Sequence, residues 1–272
     1  MALIDVNDCT LEVLHLAAPE GKADAAPRAP LVFLHEGLGS VAMWRDWPAR
    51  LCAATAREGW VFSRRGYGHS EPVPDVRGPA RLDARGRRIG RLQPDYMHHE
   101  AWDVLPALLQ ALGLARPPVL VGHSDGGTIA LLHASRHPVA ACVVMAPHVK
   151  VEAVSLRSIE AAREAFVHGD LRARLSRFHA DVDGAFWQWN DAWLNPAFHG
   201  FDIREDCARI TAPLLAIQGE DDAYGTLAQI DDIAERAPHT QRLVLPGCGH
   251  SPHRDAAEAV TAAIAAFLAP IA

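Results

Sequence analysis

Short apolar runs alternate with longer stretches of helical spacing along most of this chain, the arrangement expected of a mostly parallel sheet covered by helices on both faces. Leu3 to Val6 and Leu11 to Leu16 read as a starting hairpin. The runs Leu31 to Leu34, Trp60 to Phe62, Val119 to Val121, Ala141 to Met145, Leu214 to Ile217 and Leu243 to Leu245 read as buried strands, each ending in Pro, Gly or a polar turn. Between them, Met97 to Leu112 carries apolar residues at helical spacing, and Ala256 to Leu268 closes the chain on an Ala-rich face.

Two segments break the alternation. Residues 71–94 are rich in Pro, Gly and Arg and show little periodicity, which predicts an irregular surface excursion. Its Arg77, Arg81, Arg85, Arg87 and Arg88 are expected to be solvated rather than gathered on an anionic substrate group. Residues 147–212 are helical and aromatic without a convincing strand, so the chain divides into a core of residues 1–146 and 213–272 and a helical cap of residues 147–212. In that cap Phe186, Trp189 and Trp193 share one helical face and should pack on the body. Trp187, Trp189 and Trp193, with Glu36 and Leu38, are the candidates for the wall of a substrate pocket.

Composition narrows the class. A chain of 272 residues, 49% of them hydrophobic, fits one domain with an insertion. A net charge of -7 with no basic arm argues against nucleic acid or an anionic membrane as the main partner. The chain opens without a charged segment followed by an apolar core, and no later stretch approaches about eighteen apolar residues. The expectation is a cytoplasmic monomer or homodimer acting on a small molecule. Cys9, Cys52, Cys142, Cys207 and Cys248 have no paired spacing and read as reduced thiols. His133 and His137 have the i, i+4 spacing of a metal pair, but no neighbouring Glu completes the metalloprotease pattern. No metal site is expected, no Gly-rich phosphate loop is present, and no cofactor is needed.

The candidate chemistry centres on Gly122-His123-Ser124-Asp125-Gly126, set between an apolar strand and a small-residue helix. In a strand-to-helix turn that sharp the central Ser is strained, and its neighbours are small because strand and helix crowd there. A Ser hydroxyl is a weak nucleophile and needs a base, which in turn needs an acid to fix its tautomer. Downstream, Gln218-Gly219-Glu220-Asp221-Asp222 follows the penultimate strand and Pro246-Gly247-Cys248-Gly249-His250 follows the last. Both turns lie where open α/β sheets place their ligands, just beyond the carboxyl ends of strands. Cys248 has no such elbow and is not expected to be a nucleophile. The loop Leu34-His35-Glu36-Gly37-Leu38-Gly39-Ser40 leaves the first central strand and can supply a backbone oxyanion donor.

These parts, with the turn Arg65-Gly66-Tyr67-Gly68-His69-Ser70, resemble those of the α/β-hydrolase-fold serine hydrolases, a family of esterases, C–C bond hydrolases and haloperoxidase-like proteins. The likeness runs from Leu31 to Leu268. It implies an eight-stranded, mostly parallel sheet with a helical cap, Ser124 as nucleophile, Asp222 as acid and His250 as base. It also implies oxyanion donors at the amides of Gly37 and Asp125, with His123 structural and His35 orienting the loop. The function implied is cleavage of a small carboxylic ester, thioester or lactone. Alternatives are a C–C bond hydrolase of ring-fission or diketone products and a non-catalytic ligand-binding or signalling protein on the same fold. Glu36 replaces a common Gly and Ser63 a common Asp. If Glu36 and Asp125 both face the pocket, an anionic substrate is opposed.

Overall fold

The apolar runs pair as expected in the computed structural model, which describes residues 1–19 and 28–272. In chain order the strands are β1 (Ala2–Val6), β2 (Cys9–Leu16), β3 (Leu31–Leu34), β4 (Gly59–Phe62), β5 (Arg81–Leu82), β6 (Arg88–Ile89), β7 (Val119–His123), β8 (Ala141–Met145), β9 (Leu214–Gly219) and β10 (Gln241–Leu245). Among the described residues eight of them form one sheet in the order β1-β2-β4-β3-β7-β8-β9-β10, while β5 and β6 make a separate two-stranded ribbon. Within the eight-stranded sheet pairing is parallel along β4-β3-β7-β8-β9-β10 and antiparallel where β2 meets β1 and β4; the ribbon of β5 and β6 is antiparallel.

The continuous apolarity of the central strands follows from burial of both faces. Leu31, Phe33, Val119, Val121, Val143 and Ile217 pack on one side, with the helices Trp47–Thr55 and Ala257–Leu268. Val32, Leu34, Leu120, Val144 and Ala216 pack on the other, against Met97, Leu105 and the helix Asp125–Ala134. Strand order reverses at β3: the chain leaves it toward β4 and returns on its other side as β7. The crevice beyond the carboxyl ends of β3 and β7 is therefore a topological switch point, where such sheets bind ligands.

The excursion over residues 71–94 contains more order than its composition suggests. The Asp83 carboxylate accepts from the amides of Arg85 and Arg87 and from Arg87 Nε, closing the turn between β5 and β6. Arg77 pairs with Asp191, Arg81 with Asp75, Arg87 with Glu71 and Arg88 with Asp95. Four of the five arginines are thus matched by carboxylates of the chain itself. The helix expected from Met97 to Leu112 is interrupted by a π turn over Glu100–Val104 between Tyr96–His99 and Leu105–Ala111. Pro106 is the physical reason: it has no N–H for the carbonyl four residues back, and its ring crowds that carbonyl, so the helix widens by one residue, with Leu105 N–H reaching Glu100 O.

Between β8 and β9 the chain forms the helices Ala153–Val167, Leu171–Leu175 and Val182–Trp193, a 3-10 turn at Pro196–Gly200 and a last short helix at Arg204–Cys207. Among the described residues no helix is long and apolar enough to cross a membrane. All five cysteines are free thiols.

Two features of the packing make predictions. A Cβ built on Gly126 would lie 2.1 Å from the carbonyl oxygen of Leu34, whereas one on Gly200 meets nothing within 4 Å. Gly126→Ala should lower the urea midpoint by an amount equivalent to roughly 1–3 kcal/mol, and Gly200→Ala should change it by less than about 0.5 kcal/mol. Equal midpoints for the two variants would contradict the close approach. Burial, above all, pushes the His133 imidazole down to about 4 and that of His148 to about 3. Each is a base whose folded-state value lies below its unfolded value of about 6.5, so below that pH the unfolded chain binds more protons. Stability should be full above about pH 7 and fall as pH drops through 6, by about 2.7 kcal/mol per unit for the two together. Denaturant unfolding at pH 7.5, 6 and 5 measures this, and a flat profile would count against neutral burial.

Candidate active site

The turn after β7 is built by steric necessity. Ser124 has φ 52° and ψ -119°, a left-handed conformation that a side chain rarely adopts. The strain is held on both sides: a Cβ on Gly122 would lie 2.3 Å from Gly126 O, and Gly126 itself passes against the carbonyls of Leu34 and His35. Ser124 N–H bonds Met145 O of β8, and Ser124 O accepts from Thr128 N–H. The hydroxyl therefore stands at the N-terminus of the helix Asp125–Ala134, where free amides and the positive end of the dipole favour negative charge.

Three side chains distant in sequence meet there. His250 Nε2 lies 3.0 Å from Ser124 Oγ, and His250 Nδ1 lies 2.8 Å from both Asp222 oxygens. Asp222 is fully buried and also accepts from the Tyr224 and Gly225 amides and from Gln218 Nε2. Burial opposes its ionisation, but the hydrogen bond and charge of His250 outweigh that and hold the carboxyl below the usual carboxylate range. An ionised Asp222 accepts only, so Nδ1 carries the imidazole proton and Nε2 is left to accept from Ser124. The neighbouring Asp221 is tied through its backbone, its N–H bonding Cys248 O.

The loop after β3 completes the arrangement. The Glu36 carbonyl accepts from His35 Nδ1, Arg64 Nη2 and the Gly39 amide at 2.6, 3.0 and 3.0 Å. His35 Nε2 in turn accepts from Arg64 N–H, so the ring is the neutral Nδ1–H tautomer; burial and then Arg64 hold its pKa well below the ordinary range. Because the peptide is planar and trans, a Glu36 carbonyl pinned toward His35 forces the Gly37 N–H the opposite way. Trp189 lies over Gly37, its Nε1 2.1 Å from where a Cβ would stand. His179 Nε2 donates to Leu38 O and secures the far end of the loop.

Not every expected pocket residue faces this site. Trp189 reaches Gly37, but Trp193 is buried with its Nε1 on the Asp125 carboxylate at 3.2 Å, and Trp187 lies under the Arg77 guanidinium at 4.0 Å and against Phe166. The reason is helical pitch: residue 187 is rotated about 200° from residue 189. The Asp125 carboxylate does not face the pocket either. It is buried, accepts from Tyr96 Oη at 2.7 Å and Trp193 Nε1, and has Arg64 at 3.7 Å. Glu36 is partly exposed, its carboxylate 3.5 Å from His123 Nδ1. His123 Nε2 donates to the His250 carbonyl at 2.6 Å, so this ring holds the His250 backbone.

Sequence reasoning missed two neighbours of His250 and one of Asp222. The Tyr224 ring lies 4.6 Å and the His148 ring 5.8 Å from it, and Gln218 reaches the acid rather than the base. Tyr224 and Gln218 were within reach of the argument, being two residues after and four before Asp222; His148 carried no signal. A carboxylate absent at Ser63 is present nearby: Glu12 of β2, buried, accepts from Ser63 Oγ at 2.7 Å and from the His69 amide at 3.0 Å. Cys248 is buried and its thiol is pushed up to about 11, chiefly by desolvation. Among the described residues no cluster of three or more His, Cys, Asp or Glu is arranged to hold a metal ion.

Comparison with known proteins places these parts in context. A pimeloyl-[acyl-carrier protein] methyl ester esterase of Xanthomonas campestris pv. campestris is 30% identical over 195 residues, spanning 61% of this chain and 77% of that protein. A thermophilic esterase from Thermogutta terrifontis superposes with a TM-score of 0.72 at 18% identity, over 98% of this chain and 97% of the other. A meta-cleavage product hydrolase from Pseudomonas fluorescens IP01 superposes with a TM-score of 0.71 at 16% identity, over 99% and 97%. The two superpositions show the same fold. The model of the alpha/beta hydrolase family matches residues 31–263, from β3 into the last helix, and this chain belongs to that family.

Proposed function

We propose that this hydrolase cleaves a small carboxylic ester through Ser124, His250 and Asp222. The observation that carries the reading is the unbroken hydrogen-bond chain from Ser124 Oγ through the imidazole to a buried, ionised carboxylate. His250 Nε2 takes the hydroxyl proton as Oγ attacks the carbonyl carbon, and Asp222 stabilises the imidazolium that results. The Gly37 and Asp125 amides receive the oxyanion, each worth several kcal/mol when such donors are removed singly. The imidazolium gives its proton to the leaving alkoxide, which departs as the alcohol. Water then enters, yields a proton to Nε2 and attacks the acyl carbon, and His250 returns that proton to Ser124 Oγ as the bond to the acyl group breaks and the acid leaves.

The ester class is supported by the 30% identical relative, an esterase. Trp189 above Gly37 supplies a flat apolar wall suited to an alkyl or aryl acyl group. With the Asp125 carboxylate turned inward, hydrogen-bonded by Tyr96 and Trp193 and paired with Arg64, Glu36 adds negative charge at the rim.

Ser124→Ala and His250→Ala should each lower kcat on p-nitrophenyl butyrate by about 10³ or more, and the double variant should lose little beyond either single change, because the two groups act as a unit. Additive losses would contradict the coupling. Asp222→Asn should cost at least about 10² more in kcat than Asp221→Asn, since only the former loses the His250 contact. A fluorophosphonate probe should label Ser124, with the modified peptide read by mass spectrometry. Absence of labelling would favour a binding protein on the same fold, and turnover of ring-fission products in place of esters would favour C–C cleavage.

A further inference from the structure

The helix that carries Trp189 is gripped from outside. Along Val182–Trp193 the side chains that are not buried are Asp183, Trp187 and Asp191, one stripe at i, i+4 spacing, while Trp189 lies on the opposite face over Gly37. Arg172 of the neighbouring cap helix holds Asp183. Arg77, from the excursion over residues 71–94, holds the other two. Its Nε donates to Asp191 Oδ2 at 3.0 Å, and its guanidinium lies 4.0 Å from the centre of the Trp187 ring. One planar cation therefore spans a turn of the helix. Among the described residues no other Lys, Arg or His pairs with Asp191, whose side chain is 14% exposed.

The grip is carried through to the body of the molecule. The Arg77 carbonyl accepts from Arg91 Nη2 at 3.1 Å, Gly90 N–H bonds Pro74 O and Arg91 N–H bonds Gly78 O, so the excursion is closed on itself around Arg77. It is tied down by Glu71 N–H on Thr10 O of β2, by Arg87 Nη1 on Asp8 O and by Arg65 Nη1 on Arg88 O. The segment is a strut between the antiparallel edge of the sheet and the outer face of the cap helix.

Beneath that helix there is little room: Ser124 and Trp189 are each 6% exposed, and the indole rests on Gly37. A short acyl group is accommodated with the helix in place. A chain that outgrows the space under the indole has to raise the helix, and raising it draws Asp191 and Trp187 off Arg77. The cost of breaking those two contacts therefore falls on long acyl chains and not on short ones.

We propose that Arg77 is a positioning residue: by holding Trp187 and Asp191 it fixes the height of Trp189 over the oxyanion loop and so limits the length of acyl chain that the Ser124 site accepts. The inference rests on the ester-hydrolase reading above and narrows its substrate class to esters of short-chain acids.

Steady-state kinetics with p-nitrophenyl butyrate and p-nitrophenyl octanoate test it on the wild type, Arg77→Ala and Arg77→Lys. The wild type should favour butyrate by about tenfold or more in kcat/KM. Arg77→Ala should raise the octanoate-to-butyrate ratio about fivefold, the worth of an exposed ion pair and a cation–π contact together, chiefly through a lower KM for octanoate. Arg77→Lys, which keeps the charge but not the planar fork, should fall between the two. Raising NaCl from about 0.05 to about 0.5 M should lift the ratio more in the wild type than in Arg77→Ala, because salt screens the half-exposed pair. A merely structural loss would lower turnover of both esters together and leave the ratio and its salt dependence as they were. Thermal melts establish that the variants are folded; if Arg77→Ala is not, Arg77→Lys and the salt series of the wild type decide. A wild type that prefers octanoate, or a ratio unmoved by both the substitution and salt, would overturn the proposal. Failure to turn over either ester would defeat the hydrolase reading and this inference with it, whereas turnover with an unmoved ratio defeats this inference alone.

Discussion

The backbone of Gly126 passes so near the carbonyls of Leu34 and His35 that no side chain fits between them, and the rest of the site is arranged around that contact. It joins the strand-to-helix turn after β7 to the loop after β3, two segments ninety residues apart in the chain that end on adjacent strands. With the two backbones locked together, the strained Ser124 cannot relax without displacing the Glu36–Gly37 peptide, whose carbonyl is held by three donors. The hydroxyl and the amide opposite that carbonyl are therefore placed by one packing constraint rather than by two independent ones.

Electrostatics around this frame divides the buried groups by role. His35, His123, His148 and His253 are all pushed toward the neutral form, with burial the main cause, while Asp222 stays ionised because His250 and two amides face it. His250 is thus surrounded by uncharged rings on one side and by a single full charge on the other. The Asp125 carboxylate, one residue from Ser124, is turned into the interior and matched there by Tyr96, Trp193 and Arg64.

The sheet was readable in advance because buried parallel strands announce themselves as unbroken apolar runs bounded by turns, as Ala141–Met145 and Leu214–Gly219 do here. The π turn over Glu100–Val104 was hidden because Pro106 admits several local remedies and packing selects among them. The order inside residues 71–94 was hidden for another reason. Four Arg pairs with acids, one of them Asp191 more than a hundred residues away, leave no periodic trace in a sequence.

What the sequence determined by itself was local: the small residues that a sharp elbow at Ser124 demands, the turns that carry Asp222 and His250, and the succession of strands that sets those turns on one edge. The tertiary structure alone decided where side chains of long reach would go. It turned Asp125 inward onto Trp193, set Trp189 on the site and Trp187 beneath Arg77, brought Tyr224 and His148 beside His250, and supplied Glu12 where Ser63 lacks a carboxylate. Backbone geometry is limited by neighbours in the chain, so pattern reveals it; the partner of a buried polar group is chosen by whatever the fold brings within about 3 Å, and that choice is made across the molecule.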